Sequence, residues 1–360
     1  MAPVPLFATS LAPYRDRLDA ALRRVVASGR FILGPEVEAF ERELAAYLGV
    51  RHCVGVANGT DALMIGLRAL GVEPGDEVVV PSFTFYATAE AVAAIGAVPV
   101  FCDVDPETFC VTRETVERAL TPRARAIVPV HLFGNVAPVS ELRELGLPLL
   151  EDAAQAAGAA LHGAKAGALG DAATFSFFPS KNLPCLGDGG ALATDDDDVA
   201  ERARTLRFHG SRDKRSFVEV GYNSRLDELQ AAALRALLPE LEDWNAARRA
   251  AADAYERLGL GDHAELPRPA AGVEHVYHLY VVRHDHADAL ADALAAAGVG
   301  ARAYYRVPVH RQPAMARFAT GAELPATDEL ARTHLALPMG PRLSEEDVGA
   351  VVEACASARA

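Results

Sequence analysis

The sequence has few of the features that bind nucleic acids, metal ions or membranes. Its formal net charge is −14, and no run of lysine or arginine interrupts this acidic balance, so we expect no nucleic-acid partner. The five cysteines form no CxxC pair and no other metal-ligand spacing, as is typical of reduced, mostly buried thiols. No apolar run has the length of a membrane span, and residues 1–10 have no basic region followed by a long apolar core. We therefore expect a cytoplasmic protein without a metal site or a membrane partner.

Short apolar segments alternate with alanine- and leucine-rich helical patterns as far as residue 194. Seven of these segments are predicted strands, at residues 52–57, 77–81, 98–104, 126–132, 147–151, 172–178 and 190–194. Helical patterns lie between several of them, for example at residues 61–70, 87–95 and 112–120. This alternation predicts an α/β fold, in which a mainly parallel seven-stranded sheet carries helices on both faces.

The last third of the chain has a different pattern. Residues 226–258 form one long helical pattern, which we interpret as the link out of the larger domain. Beyond it, a strand at residues 278–282 and helices at residues 287–297 and at the end of the chain predict a smaller α+β domain. We therefore predict a large domain over residues 1–240, including the N-terminal segment, and a small C-terminal domain over residues 241–360.

Two chemically distinctive side chains follow predicted strands, and ligands of such sheets bind at the carboxyl ends of the strands. Lys181 lies among apolar residues and prolines, where burial disfavours the ammonium form and leaves a nucleophilic amine. Asp152 closes another apolar strand, although a simple strand-end cap is an alternative for it. Pyridoxal phosphate (PLP) chemistry requires such a pair: a lysine that holds the cofactor as a Schiff base and an acid beside its pyridine nitrogen. Gln155 follows closely enough to hydrogen-bond the cofactor's phenolic oxygen.

Other residues at predicted strand ends are suited to the rest of such a cofactor. Residues 58–63 open a helix, whose N-terminal N–H groups and dipole attract phosphate. Gly59 permits a close backbone approach and Thr60 adds a hydroxyl, although a plain helix cap is the alternative. Ser176 precedes Lys181 by five residues and is placed to reach a phosphate. Phe85 is one of three aromatic residues after the second strand, and either ring stacking or core packing accounts for it.

These motifs together resemble the DegT/DnrJ/EryC1/StrS family of PLP-dependent sugar aminotransferases, within the fold-type-I aspartate aminotransferase superfamily. The matching segments follow the family order and are residues 29–35, 58–63, 81–85, 131–134, 151–155, 175–183, 187–191, 221–232 and 308–313. The resemblance implies the fold-type-I architecture. It also implies that Lys181 is the Schiff-base lysine and moves the Cα proton, and that Asp152 pairs with the pyridine nitrogen.

The resemblance implies roles for further residues of the cofactor site. Phe85 would stack on the ring, and Gln155 would lie near its phenolic oxygen. The phosphate would be held by Gly59, Thr60 and Ser176.

The resemblance also implies a homodimer with shared active sites. In relatives, an asparagine at the position of Asn223 reaches the phosphate of the neighbouring subunit, as a two-fold assembly allows. Tyr304, Arg306 and His310 match a family segment near the substrate and are candidates for recognising a sugar or a nucleotide phosphate. Each is equally explained as a surface or packing residue, and Arg306 stands where the family often has proline.

The function implied by the resemblance is transamination, because Lys181 is kept where a dehydratase branch of the family has histidine. An amino acid, most often L-glutamate, would donate its amino group to a nucleotide-linked keto-deoxysugar, with dTDP favoured. The product would be an amino sugar for antibiotic or glycan biosynthesis. Alternatives are a keto-cyclitol aminotransferase of aminoglycoside biosynthesis and a PLP-binding regulatory paralogue. A nicotinamide enzyme is excluded, because no GxGxxG turn follows the first strand. The nucleotide, the sugar, the aminated carbon and the choice between glutamate and glutamine stay open.

Overall fold

The structure is a computed structural model that describes residues 3–319 and 321–358. Its helices are α1 (Arg15–Ser28), α2 (Pro35–Leu48), α3 (Gly59–Ala69), α4 (Ala87–Ala94), α5 (Arg113–Ala119), α6 (Val139–Arg143), α7 (Asp197–Arg207), α8 (Glu228–Leu237), α9 (Leu241–Arg257), α10 (Ala287–Ala296), α11 (Pro325–Thr333) and α12 (Glu345–Ser357). Its strands are β1 (His52–Val56), β2 (Glu77–Pro81), β3 (Val98–Cys102), β4 (Ala124–Ile127), β5 (Leu150–Asp152), β6 (Ala160–Leu161), β7 (Ala164–Lys165), β8 (Ala172–Ser176), β9 (Gly190–Thr194), β10 (Val273–Glu274), β11 (Tyr280–Arg283) and β12 (His334–Leu337).

Within the described residues, seven strands form the central sheet in the spatial order β3-β2-β4-β5-β8-β9-β1. Isolated parallel bridges from Ile127 to Leu149 and from Val130 to Asp152 join its three-stranded and four-stranded parts. Pairing is parallel from β3 to β8, and β9 is antiparallel to both of its neighbours. The predicted mainly parallel sheet is confirmed. The carboxyl ends of β1, β2, β4, β5 and β8 therefore lie at one edge.

Helices cover both faces of the sheet, and the strand sequences show why. Side chains alternate between the two faces of a strand. On β9, Ala191 and Ala193 pack in the core with α2 and α8, whereas Leu192 packs in the core with α3 and α7. Every residue of β2 is buried for the same reason. Strands covered on both sides are apolar throughout rather than alternating, as the sequence of β2 is.

The predicted strand boundaries are less accurate than the strands themselves. The apolar segment predicted as a strand at residues 126–132 pairs regularly only as far as Ile127. Val128, Val130 and Leu132 stay buried beyond that point without regular pairing, so their apolar character does not mark a strand. Apolar runs report burial more directly than they report secondary structure.

The single helix predicted over residues 226–258 is wrong at its centre. The chain forms α8 and α9, separated by a 3-10 turn at Leu238–Glu240 that contains Pro239. Proline has no N–H to donate, and its ring clashes with the preceding helical turn, so the helix restarts. Helix α9 then joins both cores, because Trp244 packs with the large sheet and Tyr255 packs with the C-terminal part.

The C-terminal part packs α10, α12 and the end of α9 against the antiparallel pair of β11 and β12, which is an α+β arrangement. The N-terminal segment pairs there too, through bridges from Val4 to Val299 and from Phe7 to Met339. These residues thus lie against the C-terminal part, although the predicted division placed them with the large domain. The boundary at residue 240 stays a prediction. Among the described residues, no helix combines the length and the apolar character needed to cross a membrane.

Candidate active site

Polar side chains gather at the sheet edge where the parallel strands end. Asp152 is the last residue of β5, Ser176 is the last residue of β8, and Lys181 follows five residues later. Helix α3 begins at Gly59, directly after β1, so its N-terminus lies at the same edge. The fold thus brings together residues that are more than a hundred positions apart in the sequence.

Asp152 is buried and held by hydrogen bonds from two directions. The Thr88 hydroxyl on α4 donates to Asp152 Oδ2 at 2.8 Å, and the Ala154 N–H donates to Oδ1 at 3.2 Å. Burial raises the pKa of Asp152, whereas these hydrogen bonds and the charge of Lys181 act in the opposite direction. The described residues place no arginine against this carboxylate, so it is available to a cationic ligand.

Glu151, the neighbour of Asp152, points to the other side of the strand and has a structural role. Its carboxylate accepts the Nε2–H of the fully buried His131 at 2.7 Å and the backbone N–H groups of Gly167, Leu169 and Gly170. Burial opposes ionisation, but the hydrogen bond and charge of His131 keep the pKa of Glu151 below its ordinary value. Glu151 therefore fixes the loop behind β5, and Asp152 faces the pocket.

Lys181 lies in a tight loop after β8, where its N–H donates to the Phe178 carbonyl at 2.8 Å. Its side chain is partly exposed, and its amine makes no hydrogen bond within the part of the chain that the structure describes. Burial lowers the pKa of Lys181 to about 8, against the opposing charge of Asp152. A substantial fraction of the amine is therefore neutral and nucleophilic near neutral pH.

The start of α3 forms a cradle with β8 and β9. The Asn58 side chain caps the helix by accepting the Asp61 N–H at 2.8 Å. A Cβ at Gly59 would lie 2.8 Å from the Ser176 Cβ, and one at Gly190 would lie 2.4 Å from the Asn58 carbonyl. Glycine is required at both positions, because the helix start approaches the strands more closely than a side chain allows. The predicted phosphate residues Gly59, Thr60 and Ser176 are thus brought together at a helix N-terminus.

Phe85 and Gln155 differ in how firmly the surrounding structure holds their side chains. Phe85 is 58% exposed although the residues before it, from β2 onwards, are buried, so its ring is free to stack on a ligand. Gln155 is buried and fixed: its Oε1 accepts the Phe133 N–H at 2.9 Å, and its Nε2 donates to the Tyr305 hydroxyl at 3.0 Å.

Asn223 lies beside the helix start but outside the pocket. It is exposed, and its neighbour Ser224 accepts the Ala57 N–H at 3.2 Å, just before α3. The Asn223 side chain makes no hydrogen bond within the described residues. Its predicted contact with a second subunit stays a prediction.

The candidate substrate residues have structural contacts of their own. His310 is buried, its Nδ1 shares a hydrogen bond with the Ser82 hydroxyl at 2.6 Å, and its backbone N–H donates to the same hydroxyl oxygen at 3.1 Å. The Arg306 guanidinium donates to carbonyl groups at the end of α11 and pairs with Asp288. Tyr304 is partly buried, with the guanidinium of Arg302 over its ring. These contacts are consistent with the packing alternative for His310 and Arg306, and the predicted role of all three residues in recognising the substrate stays a prediction.

Two residues of the pocket were missed at the level of sequence. Thr88 is a polar residue on a buried helix face, and its hydroxyl lies 3.2 Å from that of Thr84, four residues earlier in the bend before α4. This pair of buried threonines, four residues apart, is a sequence signal from which Thr88 could have been predicted. Tyr305 is adjacent to the predicted Tyr304, but only the folded chain shows that Tyr305 is the tyrosine that reaches Gln155.

The fold and this pocket define an α/β enzyme of the fold-type-I PLP-dependent class. The family model described as the DegT/DnrJ/EryC1/StrS aminotransferase family matches residues 14–356. The chain belongs to this family, and it is an aminotransferase. The predicted family and fold class are confirmed.

Named relatives and a solved structure agree with this assignment. The chain is 45% identical to the UDP-N-acetyl-3-dehydro-alpha-D-glucosamine 3-aminotransferase of Acidithiobacillus ferrooxidans, over 94% of this chain and 93% of the relative. It is 47% identical to the dTDP-3-amino-3,4,6-trideoxy-alpha-D-glucose transaminase of Streptomyces venezuelae, over 94% and 91%. The X-ray structure of S. venezuelae DesV in complex with a ketimine intermediate is 45% identical, covers 98% of both chains and superposes with a TM-score of 0.95.

Proposed function

We propose that this chain binds PLP at the pocket described above, with Lys181 as the point of covalent attachment. The observation that carries the proposal is the pairing of a lysine whose pKa is lowered to about 8 with a buried carboxylate, Asp152, that has no cationic side chain bonded to it. This is the donor set that PLP requires, and the two side chains lie close enough for each charge to act on the pKa of the other.

The opposite end of the pocket supports the same ligand. The free N–H groups of Gly59 and Thr60, the dipole of α3 and the Ser176 hydroxyl form an anion site of the kind that phosphate occupies. Between the two ends, the exposed ring of Phe85 offers an apolar face to a planar ring. An anion site, an exposed aromatic ring and a reactive amine at one edge of the sheet together support the binding of PLP.

The roles of the protein groups follow from their surroundings. When bound, PLP supplies a conjugated ring that accepts the electrons released when the substrate Cα loses its proton. Asp152, as a carboxylate, would favour the protonated form of the ring nitrogen, and the hydrogen bond from Thr88 holds the orientation of Asp152. Lys181 would hold the cofactor, and an amine whose pKa is lowered to about 8 is suited to accept and return a proton at the substrate Cα near neutral pH.

For the substrates, we propose L-glutamate as the amino donor and a nucleotide-linked 3-keto sugar as the acceptor, for antibiotic or glycan amino sugars. Support for the acceptor comes from the names of the two relatives, both of which refer to carbon 3 of a nucleotide sugar, linked to UDP in one and dTDP in the other. The keto-cyclitol alternative has no such support among these relatives. A purely regulatory protein has no need of the intact set of Lys181, Asp152, Thr88 and Gln155.

We also propose that the active protein is a homodimer of the cytoplasm. Several large apolar side chains are exposed in the single chain, among them Phe31, Ile32, Phe178 and Leu186. A second copy of the chain would cover these side chains, and its Asn223 would complete an active site shared by the two subunits. The reduced state of all five cysteines agrees with a reducing compartment.

The first experiment is a visible absorption spectrum of the protein with PLP, before and after L-glutamate and then a dTDP- or UDP-linked 3-keto sugar. We expect a yellow band that L-glutamate bleaches and the keto sugar restores. Borohydride reduction should then leave PLP on the peptide that contains Lys181. Lys181→Ala should lose this adduct, and Lys165→Ala, which removes a lysine paired with Glu242, should keep it.

Each contrary result has a distinct meaning. The absence of a band in the wild-type protein would refute the cofactor assignment. A band without turnover with any donor would favour the regulatory alternative, and turnover only with a keto-cyclitol would favour the other one.

A further inference from the structure

Two backbone outliers converge on the side chain of Gln155. Phe133 and Tyr305 adopt left-handed backbone conformations, with φ values of 59° and 65°, and both hydrogen-bond to the Gln155 amide. Such φ values are unfavourable for bulky aromatic residues and persist only where the surrounding structure enforces them. The two residues are 172 positions apart in the sequence, so a local turn preference does not explain the coincidence.

Aromatic packing holds both outliers in place. The rings of Phe133 and Tyr305 are stacked, with centroids 6.0 Å apart and planes 7° apart. Phe83, two residues after the end of β2, meets both rings edge-on, at 6.2 Å and 5.8 Å. Tyr305 also lies 6.5 Å from the ring of Phe85, which faces the pocket. Tyr305 thus comes from the C-terminal part of the chain and lies against the pocket of the large sheet.

The hydrogen bonds fix the orientation of the Gln155 amide. Its Oε1 accepts the Phe133 N–H, and its Nε2 donates to the Tyr305 oxygen. If the amide were flipped, its NH₂ group would face the Phe133 N–H, and two hydrogen-bond donors would meet without an acceptor. An amide nitrogen carries two hydrogens, so one N–H of Gln155 remains, and the Tyr305 hydroxyl keeps its own hydrogen. Within the described residues neither hydrogen has an acceptor, although Gln155 is buried.

Two unused donors at one corner of a pocket indicate an oxygen acceptor on the ligand. Resting on the proposed function, we propose that Tyr305 is a positioning residue: it holds the Gln155 amide so that the remaining Gln155 N–H donates to the phenolic oxygen of PLP, which sets the pKa of the lysine-bound cofactor. Donors to that oxygen stabilise its anionic form and make the neighbouring nitrogen easier to deprotonate. Burial raises the pKa of Tyr305, so its hydroxyl keeps its hydrogen throughout the working range.

The test is Tyr305→Phe, which keeps the ring stack and removes only the hydroxyl. The PLP-loaded protein is titrated between pH 5 and pH 10, and the midpoint of the change in its visible band is measured. We expect the midpoint to rise by about 0.5 to 1 pH unit, the equivalent of one hydrogen bond. Gln155→Leu should raise it at least as much, and the double variant should shift it by less than the sum of the two single changes.

The matched control is Tyr255→Phe, which removes another buried tyrosine hydroxyl, one that donates to the Pro338 carbonyl at 2.8 Å far from the pocket. It should leave the midpoint unchanged. An unchanged midpoint in Tyr305→Phe, or additive shifts in the double variant, would overturn the inference. If Tyr305→Phe does not fold, Gln155→Leu still tests the inference, because an unchanged midpoint there would leave Tyr305 no donor to position and would overturn it. A wild-type protein without a visible band would instead refute the proposed function.

Discussion

The lowered pKa of Lys181 predicts that this amine reacts faster than other lysines even without PLP. The sequence has three lysines, Lys165, Lys181 and Lys214, so the comparison is unusually clean. Lys165 pairs with Glu242 at 2.6 Å, and the Lys214 amine lies 4.9 Å from the centre of the Phe208 ring. Neither lies at the carboxyl ends of the central strands, and both serve as internal references.

The expected size of the difference follows from the neutral fraction of the amine. At pH 7, a lysine with a pKa of about 8 is about 10% neutral, whereas one at the ordinary value of 10.5 is about 0.03% neutral. The ratio is roughly 300, before differences of access and intrinsic nucleophilicity reduce it. Because only the neutral amine reacts, labelling of Lys181 should rise with pH, reach half of its limit near pH 8 and level off above that.

The assay is labelling of the PLP-free protein with a limiting amount of acetic anhydride, followed by peptide mass spectrometry across pH 6 to pH 11. The N-terminal amine is measured separately as its own peptide. Asp152→Asn tests the direction of the electrostatic effect. The negative charge of Asp152 raises the pKa of Lys181, so its removal should move the midpoint of Lys181 labelling to lower pH. If the midpoint of Lys181 labelling lies at or above pH 10, or if Lys181 is labelled no faster than Lys214, burial does not activate this amine.

Two further predictions concern the ends of the pocket. Gly59→Ala should weaken PLP binding by at least about tenfold in a spectroscopic titration, because the new Cβ would meet Ser176 at 2.8 Å. Gly349→Ala, in an open position of α12, should leave binding unchanged. Equal binding by both variants would contradict the proposed phosphate site at the start of α3. Asp152→Asn should lower turnover by about 100-fold, because the ring nitrogen loses the charge that keeps it protonated. The same change should raise the melting temperature of the PLP-free protein at pH 7. Since the folded carboxyl has a raised pKa, the folded state binds more protons than the unfolded state, and this contribution to stability is lost as pH rises. A lower melting temperature would contradict this account of burial.

Much of the pocket was predictable from sequence because short-range patterns define it. An apolar strand that ends in an acid identified Asp152, and a lysine surrounded by apolar residues identified Lys181. Gly59 was identifiable because a strand, a glycine and a helix start follow each other directly. In each case a few neighbouring residues determine the local structure, and the parallel sheet then brings the strand ends to one edge.

The remaining contacts depend on tertiary structure that no local pattern describes. The bond from Gln155 to Tyr305 joins residues 150 positions apart, and its tyrosine is in a conformation that sequence preferences disfavour. The contacts of His310 likewise come from Ser82 in a distant segment. The family segment predicts these residues as a group, but the direction of each side chain depends on contacts with distant elements, with Ser82 for His310 and with the end of α11 for Arg306.

The pairing of Glu151 with Asp152 shows how one strand serves both stability and chemistry. Adjacent residues of a strand face opposite sides, so the two acids experience different surroundings at the same depth. Glu151 receives a histidine and three backbone N–H groups, which keep it ionised and hold a loop. Asp152 receives one hydroxyl and one N–H, and burial raises its pKa. A protonated ring nitrogen beside Asp152 would supply the missing positive charge, so binding of PLP should stabilise the folded chain as well as prepare it for reaction.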